Sequence, residues 1–200
     1  MIITEKTIET MDTLIINGHP NKDSFNFALA EAYKKGLLAS NYSFDEIIIH
    51  NLEFEHSLKY GYQQRVELEQ DLLDAWDKIN RAEKIVIFMP IWWGGMPGVM
   101  KCFFDRLFLP GMAFQYRKDS PWWDKLLIGK SAHLVVTMDT PVWYFKWVYG
   151  EAGIKQIKNN ILKFCGINPV KTSYISPIKG STLAFREKWL TKIENLGKKK

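Results

Sequence analysis

The sequence predicts an α/β protein with one doubly wound parallel sheet of five strands, in the order 2-1-3-4-5, and helices on both faces. Short apolar runs rich in β-branched residues recur along the chain, and segments with helical periodicity separate them. The third run, Lys84–Pro90, is almost continuously apolar, which is typical of a strand covered on both faces at the centre of a parallel sheet. A length of 200 residues suits a single domain.

The first half of the chain contains two such strand and helix pairs. We predict a strand at Thr13–Asn17 and a helix from about Phe25 to Ala39, because the apolar residues of the second segment are roughly in helical phase. A second strand is predicted near Phe44–His50. A polar, irregular segment follows to Gln64, and apolar residues at three- and four-residue steps then predict a helix over Val66–Arg81.

The second half continues this alternation, with one excursion and one broken helix. The predicted elements are a helix from Pro97 to about Leu109, an excursion with turn residues at Gly111–Trp123, a strand at Ala132–Met138, a helix within Trp143–Cys165 broken near Gly150–Gly153, a strand near Val170–Ile175 and a closing helix at about Leu183–Leu196. Residues 1–11 are treated as an N-terminal extension and residues 197–200 as a basic tail of the single domain.

Composition excludes several classes of protein. With 46% apolar residues and no segment of low complexity, the chain is neither disordered nor fibrous. The longest uncharged run, Ile85–Met100, contains two prolines and three glycines, so we expect no membrane span. The N-terminus lacks the apolar core of a secretory signal, and we therefore expect a cytoplasmic protein.

Charge and cysteine content limit the partners. The net charge is +5, but the terminal run Lys198–Lys200 supplies three of the positive charges, and a terminal run is more often solvated than a binding arm. We expect no nucleic-acid partner, although the mild positive charge suits an anionic cofactor. Cys102 and Cys165 show neither the spacing of metal ligands nor a C-x-x-C pair, so no metal site is expected.

The loops after strands one, three and four are the places to expect a ligand, because ligands of doubly wound sheets bind beyond the carboxyl ends of the strands. The first loop places His19, Lys22 and Ser24 before a helix, and a helix N-terminus is an anion site. An alternative makes Ser24 an ordinary N-cap and His19 a turn residue. The loop has no G-x-G-x-x-G fingerprint of dinucleotide binding.

The second loop, Pro90–Gly98, combines two tryptophans with three glycines and two prolines. Glycines let the backbone approach a ligand and prolines stiffen its path, which favours a rigid cradle for a flat heteroaromatic ring. The alternative is a packed turn with core tryptophans. The third loop, Thr137–Pro141, offers backbone N–H groups after a buried strand, although alone it indicates no more than a turn.

Taken in order, these loops and the segments between them resemble one family over nearly the whole chain from Asp12 to about Tyr174. The residues that carry the resemblance are His19-Pro20, Ser24-Phe25-Asn26, Pro90-Ile91-Trp92-Trp93 with Pro97, Lys101 through Asp105-Arg106, Leu109-Pro110-Gly111-Met112-Ala113-Phe114 and Cys165-Gly166. They resemble the flavodoxin-fold NAD(P)H:quinone oxidoreductases. The resemblance implies a flavodoxin-like fold and a flavin, FMN or FAD, at the switch point of the sheet.

The resemblance also assigns cofactor-binding residues. It implies phosphate binding by His19, Ser24, Phe25 and Asn26, contact with the isoalloxazine by Pro90, Ile91, Trp92, Trp93 and Gly94, and contact with its pyrimidine edge by Thr137, Met138, Asp139 and Thr140. FMN is expected rather than FAD, because the first loop leads to one helix N-terminus for one phosphate cluster and no second adenine-binding motif is visible.

The implied reaction is two-electron transfer from NAD(P)H through the flavin to a quinone or similar flat acceptor, with ping-pong kinetics. Phe114 and Tyr116 resemble the aromatic lip over the substrate, or else are core or interface aromatics. Tyr144 and Tyr149 are both near enough in sequence for the catalytic tyrosine that stabilises the reduced flavin.

Two departures from the mammalian enzymes indicate a bacterial branch of NAD(P)H-dependent flavin oxidoreductases. Asp139-Thr140 replaces a glycine pair, and Trp143–Gly150 contains no histidine, so the histidine relay does not transfer. The aromatic load of Phe103–Phe114 and Trp143–Tyr149 indicates a homodimer with active sites near the interface. Two other functions stay open, a flavodoxin-type electron carrier and an ancillary regulatory flavoprotein of a potassium efflux system.

Overall fold

The structure, a computed structural model, describes residues 10–61 and 63–199 and confirms the predicted sheet. Its strands in chain order are β1 (Met11–Asn17), β2 (Phe44–Ile48), β3 (Ala82–Pro90), β4 (Phe114–Tyr116), β5 (Trp123–Lys125), β6 (Ser131–Thr137) and β7 (Val170–Ile175). Five of them form a parallel sheet in the order β2-β1-β3-β6-β7, and β4 pairs with β5 in a separate antiparallel hairpin. Without the hairpin, the order is the predicted 2-1-3-4-5.

Helices cover both faces of this sheet. They are α1 (Phe25–Ala39), α2 (Gln70–Arg81), α3 (Gly98–Leu107), α4 (Val142–Trp147), α5 (Ala152–Lys155, continued by π-helical turns over Gln156–Lys163) and α6 (Leu183–Gly197). Helices α1 and α6 pack on one face, while α2, α3 and α5 pack on the other. None of the helices described is long and apolar enough to cross a membrane.

Strand β3 lies at the centre because both of its faces are apolar. Ile85 and Ile87 belong to the core under α2 and α3, and Val86 and Phe88 belong to the core under α1. All four side chains are buried, as the continuous apolar run predicts. Because β1, β3 and β6 are parallel neighbours, their carboxyl ends meet at one edge of the sheet, where the three loops emerge.

The second helix begins at Gln70, so its predicted start at Val66 is wrong. The buried guanidinium of Arg106 donates hydrogen bonds to the backbone carbonyls of Glu55 and Glu67 and pairs with the Glu69 carboxylate at 2.8 Å. Glu69 keeps an extended backbone as the N-cap, with ψ of 157°. The tertiary contact with Arg106 outweighs the local helical pattern at these residues.

Other predicted boundaries differ by a few residues. Strand β2 ends at Ile48, where a short 3₁₀ turn (Ile49–Asn51) begins, and α3 ends at Leu107 rather than Leu109. The excursion after α3 contains the β4–β5 hairpin, which its turn residues alone did not reveal. Strand β1 takes in Met11 of the predicted extension, and α6 takes in Gly197 of the predicted tail. Residues 1–9 of that extension and residue 200 of that tail lie outside the described residues.

The predicted break in the fourth helical segment is confirmed. Gly150 and Glu151 both have left-handed backbone conformations, with φ of 64° and 54°, between α4 and α5. Glycine adopts this conformation at little cost, whereas a residue with a Cβ adopts it only when its surroundings hold it there.

Candidate functional site

Among the residues described, buried polar atoms without a hydrogen-bond partner lie at the N-terminal end of α1 and at the end of β1. Asn17, the last residue of β1, is fully buried, and its Oδ1 accepts a hydrogen bond from the His19 amide at 3.1 Å. Within the described part of the chain, Asn17 Nδ2, Ser24 Oγ and Asn26 Oδ1 have no hydrogen-bond partner. Each unpaired buried group costs about 1–3 kcal/mol, so three together indicate a site completed by a ligand.

The same region supplies backbone donors. Phe25 and Asn26 occupy the first turn of α1, where amide N–H groups have no intrahelical acceptor. Ser24 is the N-cap by position, yet its hydroxyl makes no capping hydrogen bond, which weakens the alternative of an ordinary cap. Asn26 Nδ2 donates to Thr137 Oγ1 at 2.7 Å and thereby ties the helix end to β6.

His19 lies beside this helix end. Its Nδ1 accepts a hydrogen bond from the Asn21 amide at 3.0 Å, so the neutral ring carries its proton on Nε2. Burial lowers the pKa of His19, which keeps the ring neutral at pH 7. The ring meets the Trp92 indole edge-on, with centroids 5.6 Å apart, and so joins the first loop to the second.

The second loop forms a tight turn with strained backbone. Trp92 and Gly95 exchange two backbone hydrogen bonds of 3.0 Å, and the residues between them, Trp93 and Gly94, have φ of 51° and 79°. Such a turn suits glycine, whereas a tryptophan there is a costly exception of the kind that clusters at functional sites. The Trp93 side chain is fully exposed and Trp92 is nearly half exposed, so the alternative of core tryptophans is wrong.

The third loop is anchored on both sides. The Met138 amide donates to the Ile175 carbonyl at 3.1 Å, and the Met138 side chain is buried. Asp139 Oδ1 accepts from the Lys179 amide at 2.6 Å, and the Thr140 carbonyl accepts from Ser176 at 2.6 Å. Because the Met138 amide is engaged in this way, the amides of Asp139 and Thr140 are the donors expected to face a ligand.

The second and third loops and the start of α5 enclose a cleft of about 510 Å³. Its lining is Ile91, Trp93, Gly94, Thr140, Phe145, Tyr149 and Ala152. Of the two predicted catalytic tyrosines, Tyr149 lines this cleft, and Tyr144 packs against Tyr149 with ring centroids 5.1 Å apart. Pro90 ends β3 opposite Thr137 and sets the start of the loop. The lining combines the apolar side chains of Ile91 and Phe145 with the polar side chains of Thr140 and Tyr149.

Phe114 and Tyr116 do not line this cleft. They lie on the β4–β5 hairpin, where Phe114 meets Phe164 edge-on at 4.9 Å between centroids, and they border a separate groove of about 430 Å³. Within one chain they are therefore not part of the cleft lining, and their role as a substrate lip stays a prediction.

Sequence reasoning missed three groups at the site. Asn17 carried a usable signal, because an amide side chain at the end of the apolar run TLIIN has no place in a core unless a polar partner meets it. Phe145 and Ala152 carried none, because apolar residues in a broken helix indicate core as readily as a cleft wall.

A doubly wound parallel sheet with a helix end suited to anions, and with a cleft beyond the carboxyl ends of its strands, defines the class of doubly wound α/β proteins, which bind ligands at this edge. Within this class, the chain belongs to the family with the flavodoxin-like fold, whose family model matches residues 11–196.

Individual relatives agree with this assignment. The chain is 30% identical to a human ribosyldihydronicotinamide dehydrogenase [quinone], over 76% of each chain, and 25% identical to an FMN-dependent NADH:quinone oxidoreductase of Lachnoclostridium phytofermentans, over 71% of each. Its structure is similar to that of Smu.1420 from Streptococcus mutans, with a TM-score of 0.79, 28% identity, and coverage of 94% of this chain and 99% of the other. The resemblance to flavodoxin-fold NAD(P)H:quinone oxidoreductases is confirmed, and with it the predicted class of enzyme, an oxidoreductase.

Proposed function

We propose that this protein is a flavin-dependent NAD(P)H:quinone oxidoreductase with FMN as its cofactor. The observation that carries the proposal is the set of unpaired buried atoms beside the cleft. A ribityl phosphate chain presents both hydroxyl donors and phosphoryl acceptors. It matches the donors Asn17 Nδ2 and Ser24 Oγ and the acceptor Asn26 Oδ1.

The remaining contacts follow from the same placement. The free amides of Phe25 and Asn26 and the N terminus of α1 favour the phosphate, with His19 beside it. The turn of Trp93 and Gly94 forms a wall for the isoalloxazine. FMN fits better than FAD because the site has one helix end for phosphate, and the bacterial relative is named as FMN-dependent.

The chain itself supplies binding, orientation and electrostatics for the reaction. A bound flavin would supply the redox chemistry, a two-electron transfer from NAD(P)H to a flat acceptor. The amides of Asp139 and Thr140 are fixed donors for negative charge at the pyrimidine edge, and Tyr149 adds a hydroxyl at the cleft wall. Trp93 and Gly94 line the cleft, and if they cover one face of the bound ring, NAD(P)H and acceptor would use the other face in turn, with ping-pong kinetics.

We further propose that the protein works as a homodimer. Trp143, Trp147 and Tyr149 expose more than half of their side chains, and Phe114 and Tyr116 border a groove with apolar walls. A second copy of the chain would cover this surface. The cytoplasmic location stays a prediction.

Absorbance and kinetics test the proposal directly. We expect bands near ~370 and ~450 nm in the purified or reconstituted protein, FMN in the mass spectrum of the released cofactor, and NAD(P)H oxidation with a soluble quinone. In double-reciprocal plots of rate against NAD(P)H at several quinone concentrations, parallel lines support alternating use of one face of the flavin by the two substrates. Intersecting lines contradict this alternation. A protein that takes up neither FMN nor FAD contradicts the proposal, and so does one that binds flavin but reduces no quinone.

A matched pair of N-cap variants tests the phosphate site. Ser24→Ala removes a hydroxyl that makes no capping bond, so we expect flavin affinity to fall about tenfold with little change in stability. Thr182 caps α6 by accepting a hydrogen bond from the Phe185 amide at 3.2 Å. Thr182→Ala should therefore cost about 1 kcal/mol of stability and leave flavin affinity unchanged. Equal flavin affinity in the two variants contradicts the assignment of Ser24.

A further inference from the structure

The turn between α4 and α5 controls one wall of the cleft. Tyr149 and Ala152 both line the cleft, and the two residues between them, Gly150 and Glu151, have left-handed backbone. A residue with a Cβ is strained in this conformation, so Glu151 must be held in place by its neighbours.

The side chain of Tyr174 holds Glu151. The Tyr174 hydroxyl, near the carboxyl end of β7, donates a hydrogen bond to the Glu151 carboxylate across 23 residues of sequence. Tyr174 is itself fixed, because its ring packs near Phe145 and lies under the Lys146 ammonium at 4.6 Å. Burial raises the pKa of Tyr174, so it stays a protonated donor at neutral pH.

Next to this turn, α5 packs directly on the second loop. A Cβ at Gly153 would lie 2.4 Å from the Gly94 carbonyl oxygen and 2.6 Å from the Gly95 Cα, so the two backbones meet with no side chain between them. The backbone of Glu151 extends the contact into the helix, because its carbonyl accepts from the Lys155 amide at 2.9 Å. A shift at Glu151 is therefore transmitted to Ala152, Gly153 and the cleft wall.

We propose that Glu151 and Tyr174 are positioning residues that fix the width of the cleft, by clamping the first turn of α5 against Gly94 and Gly95. Nothing in the reaction requires either side chain to touch a ligand. The expected effect is that loosening this clamp changes which acceptors the cleft admits. This last statement rests on the proposed function, whereas the clamp itself is a property of the fold.

Three substitutions separate the hydrogen bond from other effects. Tyr174→Phe keeps the ring and removes the hydroxyl. Glu151→Gly suits the left-handed backbone but removes the acceptor, and Glu151→Gln keeps an acceptor without the charge. Tyr42→Phe, at a half-buried tyrosine packed against the core on the α1 side of the sheet, is the control for loss of a hydroxyl.

The first measurement needs no flavin. We expect Tyr174→Phe and Glu151→Gly to raise amide hydrogen exchange at residues 149–155 about tenfold, the effect of losing one hydrogen bond to a charged group. Glu151→Gln should stay within about threefold of the wild type, as should Tyr42→Phe. Unchanged exchange in the first two variants would overturn the clamp, and so would a Glu151→Gln variant that behaves like Glu151→Gly. If Tyr174→Phe fails to fold, Glu151→Gly carries the test.

The second measurement determines how the clamp affects quinone reduction by the flavin-bound protein. We expect Tyr174→Phe to raise the KM for menadione about fivefold with kcat within twofold, and to lower the preference for menadione over a bulky, non-planar quinone. Equal effects on kcat and KM would overturn the role in setting width. If the wild type binds no flavin while exchange changes as expected, the proposed function fails and the clamp stands.

Discussion

Two close backbone contacts in this protein have the same geometry and different surroundings. Where α1 crosses α6, a Cβ on Gly36 would lie 2.0 Å from the Glu194 carbonyl oxygen. Where α5 meets the second loop, a Cβ on Gly153 would lie 2.4 Å from the Gly94 carbonyl oxygen. Both contacts require a residue without a side chain, so a glycine alone does not show whether a contact serves stability or function.

The surroundings decide this question. The α1–α6 crossing lies over a core of fully buried side chains, including Leu37, Phe88 and Ile193. The Gly153 contact lies at the edge of the sheet, beside an open cleft and the exposed Trp93. A substitution at the α1–α6 crossing therefore removes buried apolar contacts and lowers stability. A substitution at the Gly153 contact changes the shape of the cleft, which the fold does not need for its stability.

The largest expected effect comes from Gly36→Ala. The new methyl group would meet backbone atoms of Glu194 and Gly197, which cannot rotate away, so α6 must shift from its core. We expect a loss of about 3 kcal/mol in the free energy of unfolding, measured by urea denaturation. Gly98→Ala is the control, because a Cβ there meets nothing within 4 Å among the described residues. A loss below about 1 kcal/mol would show that the α1–α6 layer is adaptable.

A smaller expected effect is a pH-dependent loss of stability at His133, on the face of the sheet that α1 and α6 cover. His133 is buried on β6 and pairs with Ser173 at 2.9 Å, and burial, together with the charges of Lys84 and Lys171, lowers its pKa from 6.5 to about 4. Between pH 6.5 and about 4, His133 binds a proton in the unfolded chain but not in the folded protein. The free energy of unfolding therefore falls as the pH falls through this range.

From pH 7.5 to 4.5, the wild type should lose about 2–3 kcal/mol more than His133→Gln, whose side chain does not titrate. Urea denaturation of both proteins at the two pH values measures this difference, since the carboxylates common to both cancel. Identical pH dependence in the two proteins would place His133 in a more solvated environment than the structure does.

The smallest expected effect on stability comes from Gly153→Ala. The methyl group forces α5 and the Gly94–Gly95 turn apart, and we expect flavin affinity to fall about tenfold, or about 1.4 kcal/mol. The free energy of unfolding should change by less than about 1 kcal/mol, because the contact lies at the edge of the core. Fluorescence titration and urea denaturation measure the two quantities, with Gly98→Ala as the control. A stability loss as large as that of Gly36→Ala would remove the distinction between the two contacts.

The sequence by itself determined the sheet, its strand order and the loops that carry the site. These follow from local patterns: an apolar run such as β3 indicates a central strand, and strands that alternate with helices indicate a doubly wound order whose loops meet at one edge. The loop residues His19, Ser24, Trp93 and Thr140 were predicted as cofactor-binding because their types and order resemble a family, a signal that needs no coordinates.

Only the tertiary structure decided which groups lack partners and which are held by distant ones. Asn17 and Ser24 are notable because burial leaves their side chains unpaired, and burial is a property of the whole fold. Arg106 sets the start of α2 through its contact with Glu69, 37 residues earlier in the sequence. Tyr174 holds the turn at Glu151 across 23 residues of sequence. Local periodicity contains no information about such pairs, because their energies arise after the sheet has brought the segments together.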